Sequence, residues 1–128
     1  MKLDDAAKIA SALPGVIVGA RHGNRTWAVG DRVLGWQRPF SKADLKRFGD
    51  DKPPAGDILA VIVENLDAKE ALLEIAPPGL FTIPHFNGYA AVLIELKRAR
   101  VRDVRAALQD AYRVASVPRR RQRDRVGA

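Results

Sequence analysis

Residues 58–63 form an uninterrupted apolar run, Ile-Leu-Ala-Val-Ile-Val, in which both alternating sets of side chains are hydrophobic. A strand with one face in water alternates apolar with polar residues, so this run predicts a central strand covered on both faces. Residues 89–96 have the same character. Because helical segments surround these two predicted strands, we expect an α+β fold.

Two short apolar stretches flank a two-residue turn. Residues 26–29 and 32–36 lie on either side of Gly30-Asp31, and glycine tolerates the positive φ that two-residue hairpin turns require. The pattern predicts a β-hairpin. The side chains expected on one of its faces are Trp27, Val29, Arg32, Leu34 and Trp36.

A second hairpin is predicted from residues 80–83 and 89–96, which flank a turn containing Asn87-Gly88. Residues 16–18, Val-Ile-Val, are too few to show a period. They fit either a strand or a core-facing coil.

Three segments before residue 76 carry helix signals. Residues 3–13 place apolar side chains at helical spacing and end at Pro14-Gly15, and Ser41 is a good N-cap for a short helix through Phe48. Residues 67–75 predict a further helix with Asp67 as N-cap. Its expected buried residues are Leu66, Leu73 and Ala76, and its expected exposed residues are Lys69, Glu70 and Glu74.

The last predicted helix runs from Val101 to Ala115 and ends before Pro118. Its apolar stripe comprises Val101, Val104, Leu108, Ala111 and Ala115. Its opposite side carries Arg102, Arg105, Gln109 and Arg113, within one narrow arc. Residues 119–128 contain five arginines and almost nothing apolar to pack, so they predict a disordered tail.

The length of 128 residues and the hydrophobic content of 47% suit one domain, which we place at residues 1–118. We expect an antiparallel sheet, formed largely by hairpins, packed against N-terminal, middle and C-terminal helices.

The chain has no cysteine, which excludes disulfides and thiolate metal sites and fits a reducing compartment. Residues 1–5 lack the layout of a signal peptide, and no apolar stretch approaches the ~20 residues of a membrane span. We therefore expect a cytoplasmic monomer without a membrane partner.

The net charge of +7 is concentrated at one end of the chain. Residues 97–128 contain eleven basic and three acidic side chains, which gives +8, whereas the other 96 residues contain eleven basic and twelve acidic ones, which gives −1. A localised basic patch indicates an anionic partner more strongly than a uniformly high pI does.

Catalytic and metal-binding patterns are weak throughout. The serines suit helix or capping positions, and His22 and His85 do not lie in a metal-ligand spacing. Gly30 and Gly35 have the separation of two phosphate-loop glycines, but Trp36-Gln37 follows where Lys and Ser/Thr are required. We expect no enzymatic activity, no metal and no cofactor.

The two tryptophans allow two interpretations. Trp27 and Trp36 alternate with arginines, as on a strand platform where bases stack and guanidinium groups meet phosphates. The favoured interpretation is that both belong to the core or to a half-buried edge, because the chain has only eight aromatic side chains.

Four strings in this order resemble the MmcQ/YjbR family. They are residues 13–16 (Leu-Pro-Gly-Val), 27–33 (Trp-Ala-Val-Gly-Asp-Arg-Val), 81–89 (Phe-Thr-Ile-Pro-His-Phe-Asn-Gly-Tyr) and the closing helix through Ala111-Tyr112. The resemblance covers residues 3–118 and implies a compact α+β domain with an antiparallel sheet, similar to the CyaY-like double-wing arrangement. It also implies DNA binding, a role inferred for the family from its fold.

These observations predict a non-enzymatic domain that binds nucleic acid through phosphates, with little sequence preference. The candidate contact residues are Arg98, Arg102, Arg105, Arg113, Arg119, Arg120, Arg121, Arg123, Arg25 and Arg32. The alternative is a protein-interaction or small-ligand domain with a pocket between sheet and helices, whose arginines serve solubility or an acidic partner.

Overall fold

A computed structural model describes residues 1–117, which form an α+β fold of four α-helices and one six-stranded antiparallel sheet. The helices are α1 (Leu3–Ser11), α2 (Lys42–Phe48), α3 (Leu66–Ile75) and α4 (Val101–Ser116). The strands are β1 (Ile17–Arg21), β2 (Asn24–Val29), β3 (Arg32–Gln37), β4 (Ile58–Ile62), β5 (Leu80–Phe81) and β6 (Ala91–Glu95). The predicted tail, residues 119–128, lies outside the described residues.

The two apolar runs form the centre of the sheet, as predicted. The strand order is β1-β2-β3-β4-β6-β5, and every residue of β4 and of β6 is buried. β5 pairs with β6, so the second predicted hairpin is confirmed. Its connection holds a short 3-10 helix, Pro84–Phe86.

The first predicted hairpin is also confirmed, but one of its side chains lies on the unexpected face. β2 and β3 join at Gly30-Asp31, and Val29 pairs with Arg32. Further along, Ala28 pairs with Val33 and Trp27 with Gly35, which leaves Leu34 as an extra residue in a β-bulge. The extra residue reverses the alternation beyond it. Trp36 therefore lies on the face opposite Trp27.

Residues 17–21 form an exposed edge strand, so the strand interpretation is right for residues 17 and 18, whereas Val16 precedes the strand and packs against the core. β1 pairs with β2 through a two-residue turn, His22-Gly23. Both turn residues have positive φ, 53° and 79°, as this hairpin geometry requires.

The two faces of the sheet are covered differently. α1 and α4 pack on one face, where the largest fully buried side chains are Trp27, Leu34, Leu59, Leu96 and Leu108. The other face carries a smaller apolar cluster around Phe86 and Leu93, which Phe48 of α2 adjoins. Beside that cluster, towards β1, residues of β2 and β3 line an open groove.

The predicted signals for α1, α2 and α4 are confirmed. Leu3, Ala6 and Ala10 are buried on α1, and the Ser41 hydroxyl accepts from the Asp44 amide at 3.1 Å. On α4 the apolar stripe is buried except for Val101, which lies in the first turn and is 47% exposed.

The prediction for α3 is wrong in its cap and in its buried face. The N-cap is Asn65, whose side chain accepts from the Ala68 amide at 2.8 Å. Leu66 and Ala76 are exposed, whereas Lys69 is 6% exposed. The reason is that α3 directs Lys69 towards two backbone carbonyls, which satisfy its ammonium inside the protein.

Candidate nucleic-acid interface

Three predicted arginines of α4 lie together on its exposed face. The side chains of Arg102 and Arg113 are 72% and 61% exposed, and Arg105 is also exposed. Arg102 lies 3.7 Å from Asp103, and Arg113 lies 3.8 Å from Glu64. Such long, solvated pairs contribute little, so the guanidinium groups remain accessible to an anion.

The basic face of α4 continues onto α1. Arg105 and Gln109 share a shallow groove with exposed Lys8 of α1. Within residues 1–117 no carboxylate lies within ion-pair distance of Arg105. Together Lys8, Arg102, Arg105, Gln109 and Arg113 form what we call the α4 surface.

The other described candidates contact the protein itself. Arg25 forms an ion pair of 2.7 Å with Asp4, whose pKa is lowered by the hydrogen bond and the charge of that arginine. Arg32 donates to the carbonyl of Val114 at 3.1 Å, near the end of α4. Arg98 lies 3.6 Å from Glu95 in the turn before α4, but its side chain is 68% exposed, so its guanidinium is as accessible as those of Arg102 and Arg113. Because of these contacts, Arg25 and Arg32 connect the hairpin to α1 and α4.

The four remaining candidates, Arg119, Arg120, Arg121 and Arg123, lie outside the described residues. They follow α4 directly in the sequence. Their charges are therefore close along the chain to those of the α4 surface.

A second site lies on the opposite face of the sheet. The ring of Trp36 lies 6.3 Å from the rings of both Phe86 and Tyr89, and those two rings are 5.7 Å apart. Phe86 is buried, Trp36 is half-buried and Tyr89 is 50% exposed. These three rings form the aromatic cluster, which presents two of its members to solvent.

Two adjoining cavities flank the aromatic cluster and form one groove, which we call the sheet groove. Their volumes are about 500 Å³ and 260 Å³, and both are lined by Trp36, Arg38 and Tyr89. The other polar or charged lining residues of the larger cavity are Arg21, His22, Asn24, Thr26, Asp31, Arg32 and Gln37. His85 adjoins the smaller one. The groove thus combines aromatic rings with an excess of cationic side chains.

A buried ion pair fixes Arg38 at the groove. The Arg38 guanidinium lies 3.0 Å from Asp44 and 5.7 Å from the centre of the Phe86 ring, a cation–π distance. Burial raises the pKa of Asp44, but hydrogen bonds from Ser41 and the adjacent Arg38 outweigh it, so the pKa lies below its ordinary value. Asp44 therefore stays ionised and holds Arg38 against the ring.

Lys69 of α3 anchors the loop that carries Phe86 and Tyr89 beside the sheet groove. Its Nζ donates to the carbonyls of Phe86 at 2.6 Å and Tyr89 at 2.9 Å. Burial lowers the pKa of Lys69. One side chain of α3 thus anchors the loop that carries two of the three rings.

The tryptophan platform considered from the sequence is wrong for Trp27. That side chain is fully buried under α4, as the favoured core interpretation expected. Trp36 instead joins two rings from residues 84–89, about 50 positions later. The pairing depends on the bulge at Leu34, for which the sequence carries no recognisable signal.

Other site types have little support in the described part of the chain. No group of three His, Asp or Glu side chains in residues 1–117 is close enough to hold a metal ion. No helix in that range is long and apolar enough to cross a membrane.

Fold and site together define a class of small α+β domain that carries a basic helix surface and an aromatic groove on opposite faces of one sheet. The chain belongs to a protein family that includes the uncharacterized protein Rv2570 of Mycobacterium tuberculosis H37Rv and the uncharacterized protein Mb2600 of Mycobacterium bovis. Each is 41% identical to it over 112 residues, which cover 85% of this chain and 84% of the relative. No protein-family model and no solved structure matches the chain. The MmcQ/YjbR resemblance stays a prediction.

Proposed function

We propose that this protein is a non-enzymatic domain that binds nucleic acid through the phosphate backbone, using the α4 surface and the arginines that follow it. The observation that carries this proposal is the exposure of Arg102, Arg105 and Arg113 along one side of a single helix. Phosphate contacts require accessible cations, and the charge density of nucleic acid rewards several at once.

The dimensions of the α4 surface suit a duplex. Arg102 and Arg113 are eleven residues apart, which is about 16 Å along a helix. A duplex carries about one charge per 1.7 Å of its axis, so a helix of this length lies against several phosphates. Of the nearby acids, Asp103 and Asp110 line a cavity beside α3 at the border of the surface, and Glu64 lies 3.8 Å from Arg113.

The same surface gives little reason to expect base recognition. Gln109 is the one amide side chain in it, and no set of Asn, Gln and Arg occurs there at base-reading spacing. We therefore expect binding that depends strongly on salt and weakly on sequence.

The test is a salt titration of binding to a short fluorescently labelled duplex, followed by anisotropy. If four to six phosphates are contacted, log affinity falls against log salt with a slope of about −4 to −5. The Arg102→Gln/Arg105→Gln/Arg113→Gln variant should reduce the magnitude of that slope by about 2–3. Deleting residues 119–128 should also weaken binding sharply.

The control variant removes three positive charges from α2 and the loop after it instead of from the α4 surface. Lys42, Lys46 and Lys52 are exposed on α2 and the loop after it, and their replacement by Gln should leave the slope within about 1 of the wild-type value. Absence of binding to duplex at low salt, or an equal loss in both triple variants, would refute the proposal.

A further inference from the structure

The sheet groove is a built surface with no role in the proposal above, because the sheet separates it from α4. Gly35 faces Leu108 of α4. Because successive residues of a strand point to opposite faces, the next residue, Trp36, points to the other side of the sheet. Whatever the groove binds is held independently of the α4 surface.

The aromatic cluster is held by contacts within the protein, while two of its rings stay in contact with water. Phe86 forms the buried base, Arg38 stacks on it, and Lys69 fixes the carbonyls of Phe86 and Tyr89. The Tyr89 hydroxyl has no hydrogen-bond partner among residues 1–117 and its side chain is half exposed. The partly exposed rings of Trp36 and Tyr89 offer faces on which an external planar group can stack.

The charge of the groove favours an anionic ligand. The larger cavity is lined by Arg21, Arg32, Arg38 and one acid, Asp31. Arg32 donates to the carbonyl of Val114 and Arg38 is paired with Asp44, so Arg21 is the accessible cation of this lining. Arg21 ends β1 beside the His22-Gly23 turn and is exposed, with no ion pair to the described residues. Asn24, Thr26 and Gln37 add hydrogen-bonding groups beside the rings.

Planar rings that accept stacking, beside a cation that can meet a phosphate, are the two requirements for binding a nucleotide unit. Trp36, Arg38 and Tyr89 line both cavities, so the two rings border an open groove and not one enclosed pocket. We infer that the sheet groove binds single-stranded nucleic acid, with bases stacked on Trp36 and Tyr89 and a phosphate at Arg21.

The test uses the tryptophan fluorescence of the full chain during titration with oligothymidylate and, separately, oligouridylate. Trp27 is buried and Trp36 borders the groove, so wild-type fluorescence should be quenched when a base stacks. In Trp36→Phe the quenching should disappear. Tyr89→Ala should weaken binding about 5- to 100-fold, as expected when one stacking partner is lost.

Two further variants separate this site from the α4 surface. Arg105→Gln/Arg113→Gln should leave the quenching amplitude unchanged, because both residues lie on the α4 surface. Arg21→Gln should reduce the magnitude of the salt slope of single-strand binding by about 1. A thermal melt of each variant verifies that it is folded.

Quenching by either oligomer that Trp36→Phe abolishes supports the inference. Three results would overturn it: no quenching at low salt, quenching that persists in Trp36→Phe, or Tyr89→Ala binding as wild type. Each of them leaves the duplex titration of the α4 surface unaffected, so the two proposals fail separately.

Discussion

The two tryptophans lie nine residues apart on neighbouring strands and have opposite environments. Trp27 is fully buried between the sheet and α4, whereas Trp36 is half-buried at the edge of the sheet groove. On the covered face of the sheet, against which α1 and α4 pack, apolar side chains exclude water. On the open face, which carries the sheet groove, the rings are held by the Arg38–Asp44 salt bridge and by the loop that Lys69 anchors. The difference indicates that stability depends mainly on one face and that the other is available for binding.

The largest effect should come from the covered face. Leu108 is fully buried on α4, so Leu108→Ala should lower the free energy of unfolding by about 2–5 kcal/mol through lost burial and a cavity. Urea denaturation measures this. Val101→Ala, on the same helix at a position 47% exposed, should cost less than about 1 kcal/mol. Equal costs would contradict the assignment of the covered face.

The covered face is also the part that the sequence predicts best. The stripe of α4 has a helical period, and the apolar runs of β4 and β6 are continuous. Both are local signals, and each forms the predicted element. In a helix, residues three or four positions apart lie on the same face, so the spacing of apolar residues predicts which face is buried.

The open face is not predictable in that way, because its contacts join distant residues. Lys69 lies on the predicted polar side of α3, yet it binds carbonyls 17 and 20 residues later. The bulge at Leu34 turns Trp36 towards the rings of residues 84–89. Local spacing identifies neither the carbonyl groups that Lys69 contacts nor the rings that Trp36 contacts. The sequence therefore predicts the arginines of α4 but not the sheet groove.

The second expected effect concerns the salt bridge on the open face. Asp44→Asn should lower stability by about 1.5–3 kcal/mol near neutral pH, because the buried carboxylate accepts hydrogen bonds from Arg38 and Ser41. The pKa of Asp44 in the folded protein is lower than its ordinary value of 3.8, so its contribution is complete well above that value and is lost as pH falls through it towards the folded pKa. Melting temperatures across that range should therefore converge for the wild type and Asp44→Asn. A constant difference would disprove the linkage.

A third, comparable effect should link α3 to the groove. Lys69→Met removes both hydrogen bonds to Phe86 and Tyr89 and should cost about 1–3 kcal/mol. It should also weaken oligothymidylate binding, because the loop that carries two rings loses its anchor. Lys46→Met replaces an exposed lysine of α2 and should change neither property by a measurable amount. If Lys69→Met binds as the wild type does, the anchor is unnecessary for the groove.

Lys69 also predicts a rise of stability with pH. Burial lowers its pKa in the folded state, so the folded protein carries a penalty for the charged ammonium at neutral pH. That penalty is relieved as pH rises through the folded pKa towards the ordinary value of 10.5. Denaturation at increasing alkaline pH should show a smaller gain in Lys69→Met than in the wild type, and an identical gain would exclude Lys69 as the source.

The smallest effect on stability should come from the exposed side of the helix that carries Leu108. Arg105→Gln/Arg113→Gln should change the free energy of unfolding by less than about 1 kcal/mol, because Arg105 is exposed and the Arg113–Glu64 pair is long and solvated. The same variant should lower the magnitude of the duplex salt slope by about 1–2, since up to two phosphate contacts are lost. Lys42→Gln/Lys46→Gln removes equal charge from α2 and should leave that slope within about 1 unit. If the arginine pair and the lysine pair alter the slope equally, only net charge matters, and the α4 surface is not the contact.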